Sequence, residues 1–154
     1  MTAVYLDASA LVKRYADEAG SEGVARIFET ADEVFTCKVA FAEVMATFRR
    51  KQVELAPRGF ETEIDRLTNQ FQDDWGAITA VDLSAELFEV VRRQAFRHSL
   101  KALDLLHLSA ALLLRGEARI PVVFVCSDQN LLAARREDLE VFDPQREDPG
   151  RLES

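Results

Sequence analysis

The sequence predicts a single α/β domain in three layers, with helices on both faces of a central parallel sheet of about five short strands. The chain has 154 residues, of which 48% are hydrophobic and 30% charged, and this composition suits one compact core. Short β-rich runs alternate with longer helical runs, and this order requires crossover connections between parallel strands. The run Val122–Cys126 is apolar throughout, as expected of a central strand covered on both faces.

The first half of the chain supplies two predicted strands and four predicted helices. A strand over Ala3–Leu6 leads into a helix over Ser9–Tyr15, and Gly20 and Gly23 separate that helix from the next. Apolar residues at helical spacing predict a helix after the second strand, and a proline predicts the first turn of another. The remaining segments are a helix over Val24–Glu29, a strand over Glu33–Cys37, a helix over Val39–Gln52, and a helix from Pro57 with Phe60, Ile64, Leu67 and Phe71 as its buried stripe.

The second half continues the alternation and ends in a polar segment. A strand over Ile78–Leu83 precedes Ser84, whose hydroxyl can cap a helix over Ala85–Arg97. Gly116 is expected to end the following helix. The remaining segments are a helix over Leu103–Arg115, a strand over Val122–Cys126, a helix over Asn130–Arg136 and a strand over Glu140–Phe142. We therefore expect a domain over residues 1–143 and a polar, flexible tail over 144–154.

Charge and cysteine usage exclude several classes of protein. The 19 basic and 27 acidic residues give a net charge of −8, which excludes a uniformly basic nucleic-acid binder but leaves room for a local basic rim. Cys37 and Cys126 are too few for a disulfide framework or a cysteine zinc site. Asp7 interrupts the apolar start, so no secretory signal is expected, and Ile120–Cys126 is too short to span a bilayer. We expect a cytoplasmic protein.

Two aspartates follow predicted strands and two other acids lie in apolar helices. Asp7 comes directly after the first strand and Asp128 two residues after Val122–Cys126, and parallel sheets place their sites beyond the carboxyl ends of strands. Helix capping is the alternative for each. Glu43 and Asp104 lie among apolar residues, and a buried carboxylate needs a partner or a metal. Local partners would be Lys38 or Arg50 for Glu43, and Lys101 or His107 for Asp104.

If these four carboxylates converge, their negative charges require a counter-ion. Their spacing in the sequence does not by itself prove that they converge. Like charges in a small site raise one another's pKa or recruit a cation, and Mg²⁺ or Mn²⁺ prefers oxygen ligands. His98 and His107 are the only histidines, so no cluster points to zinc. Such a cation binds phosphate oxygens and turns a bound water into a nucleophile. We interpret His107 as a packed core histidine rather than a general base, and Asp82 as a turn or capping residue.

Four segments carry a family resemblance. In chain order they are Val4–Lys13, Phe41–Val44, Ala102–Leu108 and Val125–Leu131. The sequence resembles PIN-domain ribonucleases, and within them the VapC-type toxins of bacterial toxin–antitoxin pairs, over about residues 3 to 142. The resemblance implies a PIN-like fold, with Asp7, Glu43, Asp104 and Asp128 as catalytic and metal-binding acids. It further implies Mg²⁺- or Mn²⁺-dependent cleavage of RNA, usually RNA of the translation machinery, a cognate antitoxin and a homodimer.

The same resemblance gives supporting roles to three polar residues. Ser9, Ser127 and Asn130 match positions beside the first and last aspartates, with helix capping as the alternative for the two serines. Lys13 and Lys38 follow the first two strands and are candidate RNA contacts at the rim of the site. The acidic region Glu61–Asp74 falls where such toxins vary and bind partners, which leaves the geometry of partner binding open.

The sequence argues against three functions other than an endoribonuclease. A receiver domain needs an acidic pair after the first strand and a lysine beyond the last, but Asp7 is single and no lysine follows Lys101. A haloacid-dehalogenase-type phosphatase needs a second aspartate where this chain has Ser9. A catalytically silent module of the same fold remains the main alternative, and the four filled acidic positions argue against it.

Overall fold

Alternating strands and helices make up the described part of the chain, residues 2–55, 61–127 and 129–153 of a computed structural model. The strands are β1 (Ala3–Leu6), β2 (Glu33–Cys37), β3 (Thr79–Val81), β4 (Val122–Val125) and β5 (Glu140–Phe142). The helices are α1 (Ala8–Val12), α2 (Ser21–Thr30), α3 (Val39–Leu55), α4 (Glu61–Ala77), α5 (Ala85–Ala95), α6 (Ala102–Ala118) and α7 (Gln129–Arg136), with a 3₁₀ helix at Pro149–Glu153.

The five strands form one sheet in the order β3-β2-β1-β4-β5, and every adjacent pair is parallel. This confirms the predicted parallel sheet. The chain builds outward from β1 to β3 on one side and then returns to add β4 and β5 on the other, so the strand order reverses between β1 and β4. Leu6 pairs with Val125 at that point, and the next amide, Asp7 N–H, donates to the Val125 carbonyl at 3.2 Å. Sheets of this kind bind ligands at such a reversal point.

Alternate residues of the strands face two separate apolar layers, because side chains on a strand point to opposite faces. Val4 and Leu6 of β1 pack with residues of α1 to α4, among them Leu11, Val44 and Phe71. Tyr5 packs on the other face with Phe124 and with residues of α5, α6 and α7, among them Leu87, Leu108 and Ala134. The predicted three-layer α/β/α arrangement is confirmed.

Several element boundaries differ from those that the sequence predicted. Helix α1 ends at Val12 rather than at Tyr15, and β3 is shorter than the predicted Ile78–Leu83. The prediction that Gly116 ends its helix is wrong: α6 runs through it to Ala118, and Arg119 takes the left-handed conformation (φ 54°) instead. A glycine inside a helix costs only about 1 kcal/mol relative to alanine, so it weakens a helix without stopping it.

The helix expected from Pro57 is described from Glu61 onward. Its predicted buried residues Ile64, Leu67 and Phe71 are indeed buried, whereas Pro57 and Phe60 lie outside the described residues. Ser84 accepts a hydrogen bond from the Leu87 amide, as expected of a helix cap. Within the described part of the chain, no helix combines the length and apolar character needed to cross a bilayer.

The residues after Asp143 contact the domain in the structure. Arg26 of α2 donates to Glu153 at 2.9 Å, and Leu152 packs against the core that α1 to α4 share. Gly20 lies against Pro144 with a positive φ of 92°, and a Cβ atom on it would approach the Pro144 carbonyl oxygen to 2.8 Å. Only glycine fits there without strain. The predicted mobility of residues 144–154 and the domain boundary at 143 stay predictions.

Candidate functional site

Asp7 caps α1 with one carboxylate oxygen and directs the other toward Asn130. The side chain is 4% exposed and immediately follows β1. Its Oδ1 accepts hydrogen bonds from the Ala10 amide and the Ser9 hydroxyl, each at 2.8 Å. Its Oδ2 faces Asn130 Nδ2 at 3.4 Å. Capping therefore does not compete with a role in the site, because the two functions use different oxygens.

Asn130 joins two of the predicted acids. Its buried side chain projects from the first turn of α7, and Nδ2 lies 3.4 Å from Asp7 Oδ2 and 3.2 Å from Asp104 Oδ1. Asp104 is half-buried in the first turn of α6, and in the described residues its hydrogen-bond partner is Asn130 rather than the expected Lys101 or His107. One amide thus holds the carboxylates of β1 and α6 at the same edge of the sheet.

Glu43 has a partner that local spacing did not predict. Its Oε1 lies 2.7 Å from Nε2 of His107, which is 1% exposed, and His107 Nδ1 lies 2.8 Å from the Tyr5 hydroxyl. The two partners expected for Glu43 pair elsewhere: Lys38 with Asp82, and Arg50 with the Thr47 hydroxyl. Sequence spacing offered His107 as one possible partner of Asp104, whereas the structure pairs it with Glu43, because spacing compares residues only within one helix.

The acids of the site raise the pKa of two buried neighbours, Tyr5 and Cys126. Burial raises the pKa of Tyr5, and the nearby acidic groups Cys37, Asp7 and Glu43 raise it further. Burial also raises the pKa of the Cys126 thiol, with added effects from the carboxylates of Asp7, Asp143 and Asp104. Glu43 lines one cleft with Ser9, whose hydroxyl donates to Asp7, and with Leu103, which precedes Asp104. Because Asn130 contacts both Asp7 and Asp104, the three acids lie at the same edge of the sheet.

Burial raises the pKa of Asp7 above its ordinary value. The electrostatic effect of His107 and the hydrogen bonds from Ala10, Ser9 and Asn130 lower the pKa of Asp7 but do not outweigh desolvation. A buried carboxylate with a raised pKa is costly to ionise, and a nearby cation would relieve that cost.

The last predicted acid, Asp128, lies outside the described residues. Its neighbour Ser127 donates to Asp143 Oδ1 at 2.8 Å, and Gln145 N donates to the same oxygen at 3.0 Å. Asp143 is 4% exposed and was missed by the sequence analysis. Its position directly after the last strand is the signal that could have found it, because the same placement after β1 drew attention to Asp7.

The two candidate RNA-contacting lysines occupy different settings. Lys13 is 5% exposed and its Nζ lies 3.2 Å from Glu18 Oε1. Lys38 is exposed and pairs with Asp82. Lys13 lies in an open cleft of about 640 Å³ between α1, α3 and the start of α6, whereas Lys38 does not line it. The lining of the cleft includes Ser9, Lys13, Glu43, Thr47, Arg50 and Leu103.

Comparison with known proteins identifies the family. The family model of the PIN domain matches residues 4–136. The chain belongs to the PIN-domain family. Two curated relatives, ribonucleases VapC45 and VapC49 from two strains of Mycobacterium tuberculosis, are each 30% identical to it over 115 residues, which cover 73% of this chain and 76% of the relative.

Solved structures share the PIN fold at low sequence identity. FitAcB from Neisseria gonorrhoeae is 13% identical, with a TM-score of 0.63 and coverage of 94% of this chain and 99% of that one. VapBC2 from Rickettsia felis, bound to a DNA fragment from their promoter, is 10% identical, with a TM-score of 0.63 and coverage of 92% and 98%. These likenesses confirm the predicted fold.

The acids of this PIN domain fit a hard divalent cation. Among residues 2–55, 61–127 and 129–153, no group of three His, Cys, Asp or Glu side chains is placed so that it could hold a metal ion. Mg²⁺ does not require three protein ligands, because it binds through one or two carboxylates and keeps several waters. Asp7 and Asp104 supply two carboxylates that already share one positively polarised partner, the Asn130 amide. Among the described residues, the buried Asn130 Oδ1 has no hydrogen-bond partner.

Proposed function

We propose that this PIN domain is an Mg²⁺- or Mn²⁺-dependent endoribonuclease toxin that a cognate antitoxin holds in check. The single observation that carries the proposal is the contact of Asn130 with both Asp7 and Asp104 at the point where strand order reverses. Family membership and relatives named as ribonucleases support the same function.

In this proposal four acids form the catalytic and metal-binding set. Asp7 and Asp104 hold the ion, Glu43 faces the adjoining cleft, and Asp128 joins them on the strength of its motif. When bound, Mg²⁺ or Mn²⁺ supplies positive charge for the phosphate oxygens and lowers the pKa of water that attacks the phosphodiester. Ser9 and Asn130 fix the carboxylates that they contact. Ser127 supports the site indirectly, because its hydroxyl donates to Asp143 and holds the segment after β4 in place.

The cleft supplies the surface for RNA. A chain with net charge −8 repels a polyanion overall, so binding requires positive charge at the site itself. Lys13 and Arg50 line the cleft beside Glu43. Lys13 is the stronger candidate of the two predicted lysines because it lines the cleft. Each lysine would have to leave a carboxylate to contact RNA, Glu18 in the case of Lys13 and Asp82 in the case of Lys38.

The proposal includes partners. The solved relatives include VapBC2 bound to a promoter DNA fragment and FitAB bound to a DNA fragment, and both support pairing of this chain with a DNA-binding antitoxin. A homodimer and a cytoplasmic location, where RNA of the translation machinery is found, belong to the same proposal.

Incubation of the antitoxin-free protein with total tRNA and rRNA, with and without Mn²⁺, tests this function. We expect discrete cleavage products that require the metal and disappear in excess chelator. The Asp7→Asn variant should bind the same RNA but not cleave it. Undiminished cleavage by Asp7→Asn or in chelator would contradict the mechanism, and binding without cleavage by the wild type would favour a catalytically silent module.

A further inference from the structure

A buried chain of hydrogen bonds runs from the centre of the sheet to the cleft. The Tyr5 hydroxyl lies 2.8 Å from His107 Nδ1, and His107 Nε2 lies 2.7 Å from Glu43 Oε1. Tyr5 is completely buried and His107 is 1% exposed. These residues belong to β1, α6 and α3, so the chain links three elements that are far apart in sequence.

The hydrogen atoms in this chain can be assigned from the chemistry of its ends. A carboxylate only accepts, so the hydrogen between His107 and Glu43 belongs to His107 Nε2. A neutral imidazole then offers Nδ1 as an acceptor, and the Tyr5 hydroxyl donates to it. The hydrogen bonds therefore point in one direction, from Tyr5 to Glu43.

Packing fixes the two rings. The Tyr5 ring meets the Phe124 ring edge-on, with centroids 5.4 Å apart, and meets the His107 imidazole in the same manner at 5.9 Å. Buried rings in such contacts have no room to change rotamer. The imidazole therefore presents Nε2 to Glu43 in one orientation.

Glu43 gains a fixed position from this support. Its side chain is 20% exposed and lines the cleft, whereas that of His107 is 2% exposed. Within the described residues no hydrogen bond reaches the second oxygen, Oε2, so one oxygen is anchored and the other is available to a ligand. A glutamate side chain loses rotamer freedom when a ligand orders it, and the His107 contact already removes part of that freedom in Glu43.

We propose that His107 and Tyr5 are positioning residues that hold Glu43 ready for a divalent cation at the edge of the sheet. Partners that orient metal-binding groups in this way contribute strongly to metal affinity. The inference rests on the proposed function, since it assigns Glu43 to the same metal site.

Mn²⁺ titration calorimetry without RNA tests the inference on three variants. His107→Leu should weaken Mn²⁺ binding by about 10- to 100-fold, the range typical of lost support around a ligand. His107→Gln should recover most of the affinity, because its amide can still donate to Glu43. Tyr5→Phe should weaken binding by about three- to tenfold, as expected for one lost hydrogen bond that acts through His107. In RNA cleavage, kcat should fall in the same order with KM little changed.

The chain offers matched controls, since it holds two tyrosines and two histidines. Tyr15→Phe removes a hydroxyl that donates to Asp74 at 2.7 Å, and His98→Gln alters the contact with Glu137, also at 2.7 Å. Neither residue lines the cleft, and in the described part of the chain neither forms a hydrogen bond to Asp7, Glu43 or Asp104. Both controls should lose stability but keep the Mn²⁺ affinity of the wild type.

The outcomes separate the inference from the function on which it rests. The positioning role would be overturned if folded Tyr5→Phe, His107→Gln and His107→Leu all bound Mn²⁺ with the affinity of the wild type. That result would leave the nuclease function intact. If His107→Leu does not fold, Tyr5→Phe decides alone. Absence of both Mn²⁺ binding and RNA cleavage in the wild type would overturn both.

Discussion

Asn130 donates from its amide to Asp104 at 3.2 Å, across 26 residues of chain. The same nitrogen reaches Asp7, so a neutral side chain lies between two carboxylates and offsets their repulsion. A cation placed there would act in the same way and more strongly.

Conversion of this amide to a carboxylate should make stability depend on metal. We expect Asn130→Asp to lower the melting temperature in EDTA, because a third negative charge joins Asp7 and Asp104. Addition of Mn²⁺ should then raise the melting temperature of the variant by more than it raises that of the wild type. Thermal unfolding in both conditions measures this. Asn69→Asp is the control, because it adds the same charge on the exposed face of α4 and should respond to Mn²⁺ as the wild type does. Equal responses of the two variants would contradict a cation site at Asn130.

Asp7→Asn should stabilise the metal-free protein while abolishing cleavage. Burial raises the pKa of Asp7 in the folded state above its value in the unfolded state, which is about 3.9. The folded protein therefore loses stability as pH rises from the unfolded pKa to the higher folded pKa, because Asp7 ionises less readily in the folded state. Asparagine carries no charge and caps helices as well as aspartate does. Urea unfolding should show a more stable variant at pH 7 and no difference well below pH 3.9. A variant less stable than the wild type at pH 7 would show that the charge is favourable in the folded state.

Lys13→Met should weaken RNA binding through charge alone. Lys13 lies in the cleft, and one lost phosphate contact should reduce the slope of log affinity against log salt by about 0.7 for single-stranded RNA. Filter binding by the Asp7→Asn background at several salt concentrations measures the slope without cleavage. Arg92→Met removes an exposed cation on α5 and serves as the charge control. An unchanged slope would remove Lys13 from the RNA surface.

Glu137 should give the fold a pH dependence that is independent of the site. Burial would raise its pKa, but hydrogen bonds from His98 and Arg97 prevail and hold the pKa below the ordinary value. A depressed folded pKa stabilises the protein above the unfolded pKa, about 4.3, and the gain is lost as pH falls through the folded pKa.

The variant Glu137→Gln should therefore lose about 1 kcal/mol at pH 7 and little below pH 3, as urea unfolding can measure. Glu89→Gln breaks the exposed pair with Arg92 and should change stability by less than about 0.5 kcal/mol. A loss in Glu137→Gln that persists at low pH would mean that packing, not ionisation, is responsible.

Much of the fold could be predicted from local sequence patterns. Short apolar runs such as Val122–Cys126 predicted all five strands, and their alternation with helical segments predicted the parallel sheet. Both predictions depend on residue patterns within single elements. The end of α6 could not be predicted in this way. A Cβ atom on Gly116 would have no described atom within 4 Å, and α6 continues through this residue to Ala118.

The site was predictable as a set of acids but not as a set of contacts. Asp7 was expected at the strand end and lies there. The partner of Glu43 is His107, 64 residues away, and spacing within one helix cannot reveal such a pair. The position of Asp143 after β5 is visible in the sequence, but its hydrogen bond to Ser127 depends on the pairing of β4 with β5, which only the three-dimensional structure shows.

Diffraction from crystals grown with Mn²⁺, at a wavelength where manganese scatters anomalously, tests the central claim most directly. The account predicts an anomalous peak between the carboxylates of Asp7 and Asp104, and its loss in the Asp7→Asn variant. Crystals soaked to saturation that show no peak there, from protein that cleaves RNA in the same Mn²⁺ buffer, would contradict it.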